Sequence, residues 1–123
     1  MAEQLSDTNV FIAVFKGDAK LKTLIENSDS AINTIVYLEL IQGAKNKIET
    51  EKIEKYLVQF ELLHFDQATS QKAIELVRSY SKSHGLMLPD AIIAATCLVN
   101  DLILITFNVK DFRFIKGLKI TQP

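Results

Sequence analysis

The run Leu102-Ile103-Leu104-Ile105-Thr106 is the clearest strand in the chain and decides how the rest is read. It is apolar in the way of strands covered on both faces, which is the pattern of a parallel sheet lying between helices. Just upstream, Pro89 suits the first turn of a helix because it has no amide hydrogen to satisfy there. Ala91 to Val99 then continues as a nearly all-apolar helix that is predicted to be buried. Further back, Leu62-Leu63-His64-Phe65 reads as a strand, and Asp66 caps a long helix with Ala73, Ile74, Val77 and Tyr80 turned inward. Ile53, Tyr56, Leu57 and Phe60 follow helical spacing, with Lys47, Glu49, Glu51, Lys52, Glu54 and Lys55 on the other faces.

The first third repeats the alternation. Ala31-Ile32-Asn33 is a short strand, with Thr34 as N-cap of a helix from Ile35 to Ala44 that stops at Gly43 and Lys45. Leu5 to Asn9 is a weak strand, because Glu3, Gln4 and Ser6 surround Leu5, and the apolar turn-forming run Val10 to Phe15 follows it. Asp18 opens a short helix carrying Leu21, Leu24 and Ile25, and Leu118-Lys119-Ile120 is a last edge strand. Strands alternating with helices predict an α/β fold: a central, mainly parallel sheet with helices on both faces, and a site beyond the carboxyl ends of the strands.

Composition bounds the reading. At 123 residues and 48% apolar content the chain can bury one continuous core, so a single domain spanning 1–123 is expected. Four glycines and two prolines are scattered as punctuation, without a linker, a repeat or a low-complexity tract. The uncharged stretches are too short or too broken by polar residues to span a bilayer, and Met1-Ala2-Glu3-Gln4-Leu5-Ser6-Asp7 lacks the basic-then-apolar pattern of a signal peptide. A cytoplasmic protein is expected, with no membrane contact. One cysteine, Cys97, excludes an internal disulfide and a multi-cysteine metal site, and its apolar surroundings predict a buried small hydrophobe. The net charge of −1 lacks the basic excess usual in nucleic-acid binders, so any such contact must rest on local charge and a bound cation.

Acids interrupt this apolar sequence at three places. Glu39 is the only charged residue between Ala31 and Ala44, and it shares a helix side with Ile35, Val36, Gln42 and Gly43. Asp90 is the only carboxylate from Ser81 through Asn100, and it opens the most apolar helix. Asp7 sits where the first strand gives way to Thr8-Asn9. Singly, each has an ordinary explanation. Asp90 can serve a helix N-terminus, worth about 0.3–1 kcal/mol; Asp7 can be a turn or N-cap residue, and Glu39 can form a buried salt bridge. Gathered together, three ionised carboxylates repel unless they share a cation. With His64 and His84 outside these segments, the ligands are hard oxygens, which suit magnesium or manganese over zinc.

Four segments carry a resemblance: Asp7-Thr8-Asn9-Val10-Phe11-Ile12, Tyr37-Leu38-Glu39-Leu40-Ile41-Gln42-Gly43-Ala44, Leu88-Pro89-Asp90-Ala91-Ile92-Ile93-Ala94-Ala95-Thr96 and Leu104-Ile105-Thr106-Phe107-Asn108-Val109-Lys110-Asp111-Phe112. In this order and spacing the chain resembles the PIN-domain family, in particular the VapC-type toxins of bacterial toxin–antitoxin pairs. The resemblance implies a PIN-like three-layer α/β/α domain and magnesium-dependent hydrolysis of RNA phosphodiester bonds, leaving a 3′-hydroxyl and a 5′-phosphate. Manganese is the implied substitute metal. It implies a catalytic set of Asp7, Glu39, Asp90, Thr106 and Asn108, with Asp7, Glu39 and Asp90 holding metal and Asn9 orienting the first acid. The family's further acid aligns with the neutral Asn108, and Asp111 three residues on is the alternative ligand or an exposed turn residue. Also implied are an RNA substrate such as tRNA or rRNA, a cognate antitoxin that inserts a segment near the site, and a homodimer.

Lys16, Lys45, Lys47, Lys82, Lys110, Arg113 and Lys116 are the basic residues available to guide RNA, with Lys110 and Arg113 favoured for their place after the last core strand. Two other readings compete. A signalling receiver domain would need paired acids after the first strand, but Thr8 follows Asp7 and the middle acid, Glu39, lies in a helix. A PIN-like RNA- or protein-binding module without catalysis is made possible by the neutral Asn108, although such a module has no need to gather three acids.

Overall fold

The computed structural model describes residues 2–123. Five strands, β1 (Gln4–Ser6), β2 (Ser30–Asn33), β3 (Glu61–Leu63), β4 (Ile103–Ile105) and β5 (Ile120–Thr121), form one sheet in the order β3-β2-β1-β4-β5. Every neighbouring pair is parallel. Six helices flank the sheet: α1 (Thr8–Phe15), α2 (Ala19–Glu26), α3 (Thr34–Gln42), α4 (Lys47–Leu57), α5 (Gln67–His84) and α6 (Leu88–Asn100). The chain runs outward from β1 to β3 and then returns to β1's other side with β4. The order therefore reverses between β1 and β4, and in parallel α/β sheets that reversal opens a crevice at the carboxyl ends of the strands.

Local chemistry fixes most of the helix starts. Asp18 accepts from the Leu21 amide at 3.0 Å and Asp66 from the Thr69 amide at 2.8 Å, as their sequence positions predict. The cap of α3 is Asn33, whose Oδ1 accepts from the Val36 amide at 3.0 Å, in place of the expected Thr34. Asn33 is extended and fully buried at the end of β2, so the strand passes directly into the helix. β1 is likewise shorter than expected, and the Val10 to Phe15 run belongs to a helix that begins at Thr8. Asp7, in extended backbone, caps it by accepting from the Thr8 amide at 2.7 Å. Helix α5 stops at Gly85, whose φ of 70° is readily adopted without a side chain.

The core joins both faces of the sheet through Leu5, Ile32 and Leu104 from strands, Phe11, Val36 and Ile93 from helices, and Phe112 near the end of the chain. Each such side chain contributes about 1.5–3 kcal/mol on burial. Cys97 is buried as expected, and burial pushes its thiol up to about 12. One inward assignment fails. Ile74 is 58% exposed, because α5 buries Thr69 and Leu76 in its place, and Ile74 instead lines an open apolar groove with Phe65 and Leu88. Among the described residues no helix is long and apolar enough to cross a membrane.

Candidate active site

A cleft of about 400 Å³ opens at the carboxyl ends of β1 and β4, where the strand order reverses. Asp7, Glu39, Asp90 and Asn108 line it together, although they lie far apart in sequence. Asp7 leaves β1 directly, Glu39 comes from the second turn of α3, Asp90 from the first turn of α6, and Asn108 follows β4. The remaining wall is Thr8, Asn9, Ile12, Gln42, Gly43 and Ile93, so no basic side chain enters the lining.

The acids are braced to different degrees. Asp7 is 6% exposed and holds two hydrogen bonds, with Oδ1 accepting from the Thr8 amide at 2.7 Å and Oδ2 from the Thr106 hydroxyl at 3.0 Å. Thr106 is itself fully buried, and its oxygen accepts from the Asn108 amide at 3.0 Å, which ties the turn after β4 to the carboxylate after β1. Glu39 Oε1 accepts from the Thr8 hydroxyl at 2.8 Å. Among the described residues Asp90 has neither a hydrogen-bond donor nor a basic partner for its carboxylate.

Charge is concentrated here without compensation. Burial, followed by the charges of Asp7, Asp111 and Glu39, pushes the Asp90 carboxyl up to about 6. Burial also raises Asp7, against the lowering effect of its bonds from Thr106 and Thr8, and the charges of Glu39 and Asp111 add to the rise. Asp111 is exposed and outside the cleft wall, in the 3₁₀ turn Val109–Asp111, yet its charge reaches both aspartates. Asn108 lines the cleft while Asp111 stands on its margin.

Such a site is able to hold a hard cation. Each Asp7 oxygen keeps a lone pair after its single hydrogen bond, and the facing donors are all oxygen. Among the described residues no three Asp, Glu, His or Cys side chains cluster tightly enough to cage an ion unaided. Magnesium needs no such cage, since it retains several waters and commonly takes one or two carboxylates together with a substrate phosphate. The donor set therefore fits an open magnesium or manganese site.

Two hydrogen-bonding residues depart from the sequence reading. Asn9 lines the cleft but makes no side-chain hydrogen bond to Asp7; the braces are Thr106 and the amide of Thr8. The Thr8 hydroxyl, on Glu39, was not anticipated. Its only signal is its place beside Asp7, since the 31-residue separation from Glu39 hides the contact. His64 and His84 are exposed, and His84 stacks on Phe114 at 4.5 Å.

The fold and the cleft together define a class, and the sequence profile of the PIN domain matches residues 5–117. The chain belongs to the PIN domain family. Among its relatives is the ribonuclease VapC10 of Mycobacterium tuberculosis, 30% identical over 120 residues, which cover 94% of this chain and 90% of that protein. A toxin–antitoxin complex from Klebsiella pneumoniae contains a chain of similar structure, with a TM-score of 0.82, 33% identity and coverage of 97% of this chain and 96% of that one. The DNA-bound VapBC of Salmonella typhimurium shares the fold at a TM-score of 0.82 and 24% identity, covering 99% of this chain and 98% of that one.

Proposed function

We propose that this protein is a magnesium-dependent endoribonuclease, the toxin of a bacterial toxin–antitoxin pair, held inactive in the cytoplasm by its cognate antitoxin. The observation that carries the reading is the meeting of Asp7, Glu39, Asp90 and Asn108 in one cleft with no basic side chain in its wall. The family and the ribonuclease and toxin–antitoxin names of its relatives support the substrate class and the partner. Self-association as a homodimer is part of the same reading. It is supported by the open apolar groove that Phe65, Ile74 and Leu88 line with exposed side chains.

Bound at these oxygens, a divalent cation supplies a water of lowered pKa and neutralises charge gathering on the phosphate. Asp7, fixed by Thr106 and Thr8, is the rigid ligand, and Glu39 is held by the Thr8 hydroxyl. Asp90, which has no hydrogen-bond partner among the described residues, would hold the cation from the facing side and could accept a proton there. Asn108 presents a neutral amide where a further acid would bind metal more strongly, so affinity at rest is modest and substrate phosphate completes the site.

The test is cleavage of RNA in magnesium by the intact protein, Asp7→Asn and Asp90→Asn. Loss of at least about a hundredfold in rate is expected for each variant, the scale on which removal of a single electrostatic stabiliser acts. Equal cleavage by all three rejects the assignment. RNA binding without cleavage by the intact protein would establish the non-catalytic binding module instead.

A further inference from the structure

Beside the cleft lies a second concavity, a groove of about 780 Å³ between the α1–α2 side and the α3–α4 side. The two share Ile12, Glu39 and Gly43 in their walls, so the groove leads directly out of the cleft. Lys16, Lys22, Lys45 and Lys52 line it, against the two acids Glu39 and Glu49, in a chain whose net charge is −1. These four lysines are exposed. Lys22 stands 4.0 Å from Glu26, and among the described residues the other three have no carboxylate partner. Phe15, also in the wall and 41% exposed, is steadied edge-on by Tyr56 at 5.6 Å.

We propose that this groove is the path of single-stranded RNA to the cleft, with Lys16, Lys22, Lys45 and Lys52 contacting phosphates and Phe15 offering its ring to a base. The proposal rests on the reading of the cleft as the place where RNA is cut. A strand cut there must continue out of the cleft, and the groove that leads away past Ile12, Glu39 and Gly43 is lined by four cations. Unpaired lysines beside an exposed aromatic ring are the two elements of single-strand recognition, a charged track for the backbone and a platform for bases. The arrangement also explains how a chain of net negative charge collects a polyanion, because four of its 14 basic side chains line one groove beside the scissile position. An acidic protein segment is the competing occupant. It would match the lysines and use the same continuity with the cleft, but the exposed ring of Phe15 beside the lysines favours a chain that carries bases.

The experiment measures binding of a labelled single-stranded oligoribonucleotide by fluorescence anisotropy across a potassium chloride series, using the full chain with Asp90→Asn to prevent cutting. Lys16→Ala and Lys45→Ala are each expected to weaken binding several-fold. Each should also flatten the slope of log K against log salt by about 0.7, the value of one released counterion on a single strand. Lys45→Glu should exceed tenfold. In the cutting background KM rises while kcat stays within about twofold. Lys72→Ala, on α5 outside the groove, serves as control and should bind as the parent does. Unchanged affinity and slope in the groove variants, or an equal loss in the control, overturns the proposal. So does a result in which the lysine variants bind RNA normally but release an acidic antitoxin segment. If the unaltered protein neither binds nor cuts RNA, the reading of the cleft itself fails, an outcome distinct from intact cleavage by lysine variants with parental KM.

Discussion

Acids gather at both ends of the sheet, and only one end has the properties of a site. At the amino ends of the strands Glu26, Asp29 and Glu61 line a crevice of about 310 Å³. All three are exposed, Glu26 accepts from the Tyr56 hydroxyl at 2.6 Å, and Lys22 stands 4.0 Å away. At the carboxyl ends Asp7 is buried, Glu39 and Asp90 are half-buried, and no base answers them. The difference lies in solvation. Water and a partial counter-charge dissipate repulsion at the first end, whereas at the second the carboxyls of Asp7 and Asp90 are raised and the uncompensated charge is available to a ligand.

The sharpest way to break this contrast is to remove charge from the cleft without changing shape. Asp90→Asn is expected to raise the Tm of the metal-free protein by a few degrees at pH 7 while abolishing the gain in Tm that magnesium gives the parent. The pH dependence follows from the sign of the shift. The folded Asp90 carboxyl is raised to about 6 from an ordinary 3.8, so between those values the folded state binds more proton than the unfolded state, and acidification stabilises it. The Tm advantage of Asp90→Asn over the parent should therefore be full above pH 6 and vanish towards pH 4, as followed by thermal melts at several pH values. Cleavage in magnesium should also fall on acidification, at lower pH than this metal-free limb, because a bound cation favours the ionised Asp90. A variant that melts below its parent at pH 7 would show that Asp90 serves the helix N-terminus more than the site.

A smaller effect separates the two hydroxyl braces. Thr106→Val removes the bond to Asp7 Oδ2 and strands the Asn108 amide inside the protein, whereas Thr8→Val frees only the half-buried Glu39. A hydrogen bond to a charged group is worth about 1.5–3 kcal/mol, so Thr106→Val is expected to lower kcat by ten- to a hundredfold. Thr8→Val should cost several-fold, with its backbone bond to Asp7 intact. Thr106→Ser, which restores the hydroxyl, should recover most of the loss. Equal effects of the two valine variants would mean that burial of the braced acid does not govern the rate.

Much of this was legible from the order of residues. The parallel sheet follows from Leu102 to Thr106 and from the helix before it, and the acids stood out because Glu39 and Asp90 interrupt apolar runs. The caps at Asp18 and Asp66 depend on residues three apart, within reach of local reasoning. What escaped it was long-range. The Thr8–Glu39 bond crosses 31 residues and exists because β1 and β2 are neighbours in the sheet, while the Thr106–Asp7 bond crosses 99 and exists because β1 and β4 are. The cap at Asn33 escaped for another reason: its amide also donates to Thr96 on α6 at 3.2 Å, a tertiary contact that draws the start of α3 one residue earlier than Thr34. The inward assignment of Ile74 failed because helical period fixes a stripe but not what lies against it.

The smallest effect is expected at the other end of the sheet, and it is the one that makes the comparison specific. Asp29→Asn and Glu61→Gln each remove an exposed acid, and the carbonyl of Asp29 that accepts from the Glu3 and Gln4 amides at 2.8 and 3.2 Å belongs to the backbone and is kept. Substitutions of this kind shift stability by no more than about 0.5 kcal/mol in either direction. Neither variant should change the magnesium-dependent gain in Tm, the rate of RNA cleavage or the acid limb of the pH profile. If net charge alone governed RNA affinity, each would tighten binding as much as loss of an acid beside the cleft does. A direct comparison with Asp111→Asn decides this, since Asp111 is also exposed but lies within reach of Asp7 and Asp90, so its loss should shift the acid limb to lower pH while Glu61→Gln leaves it in place.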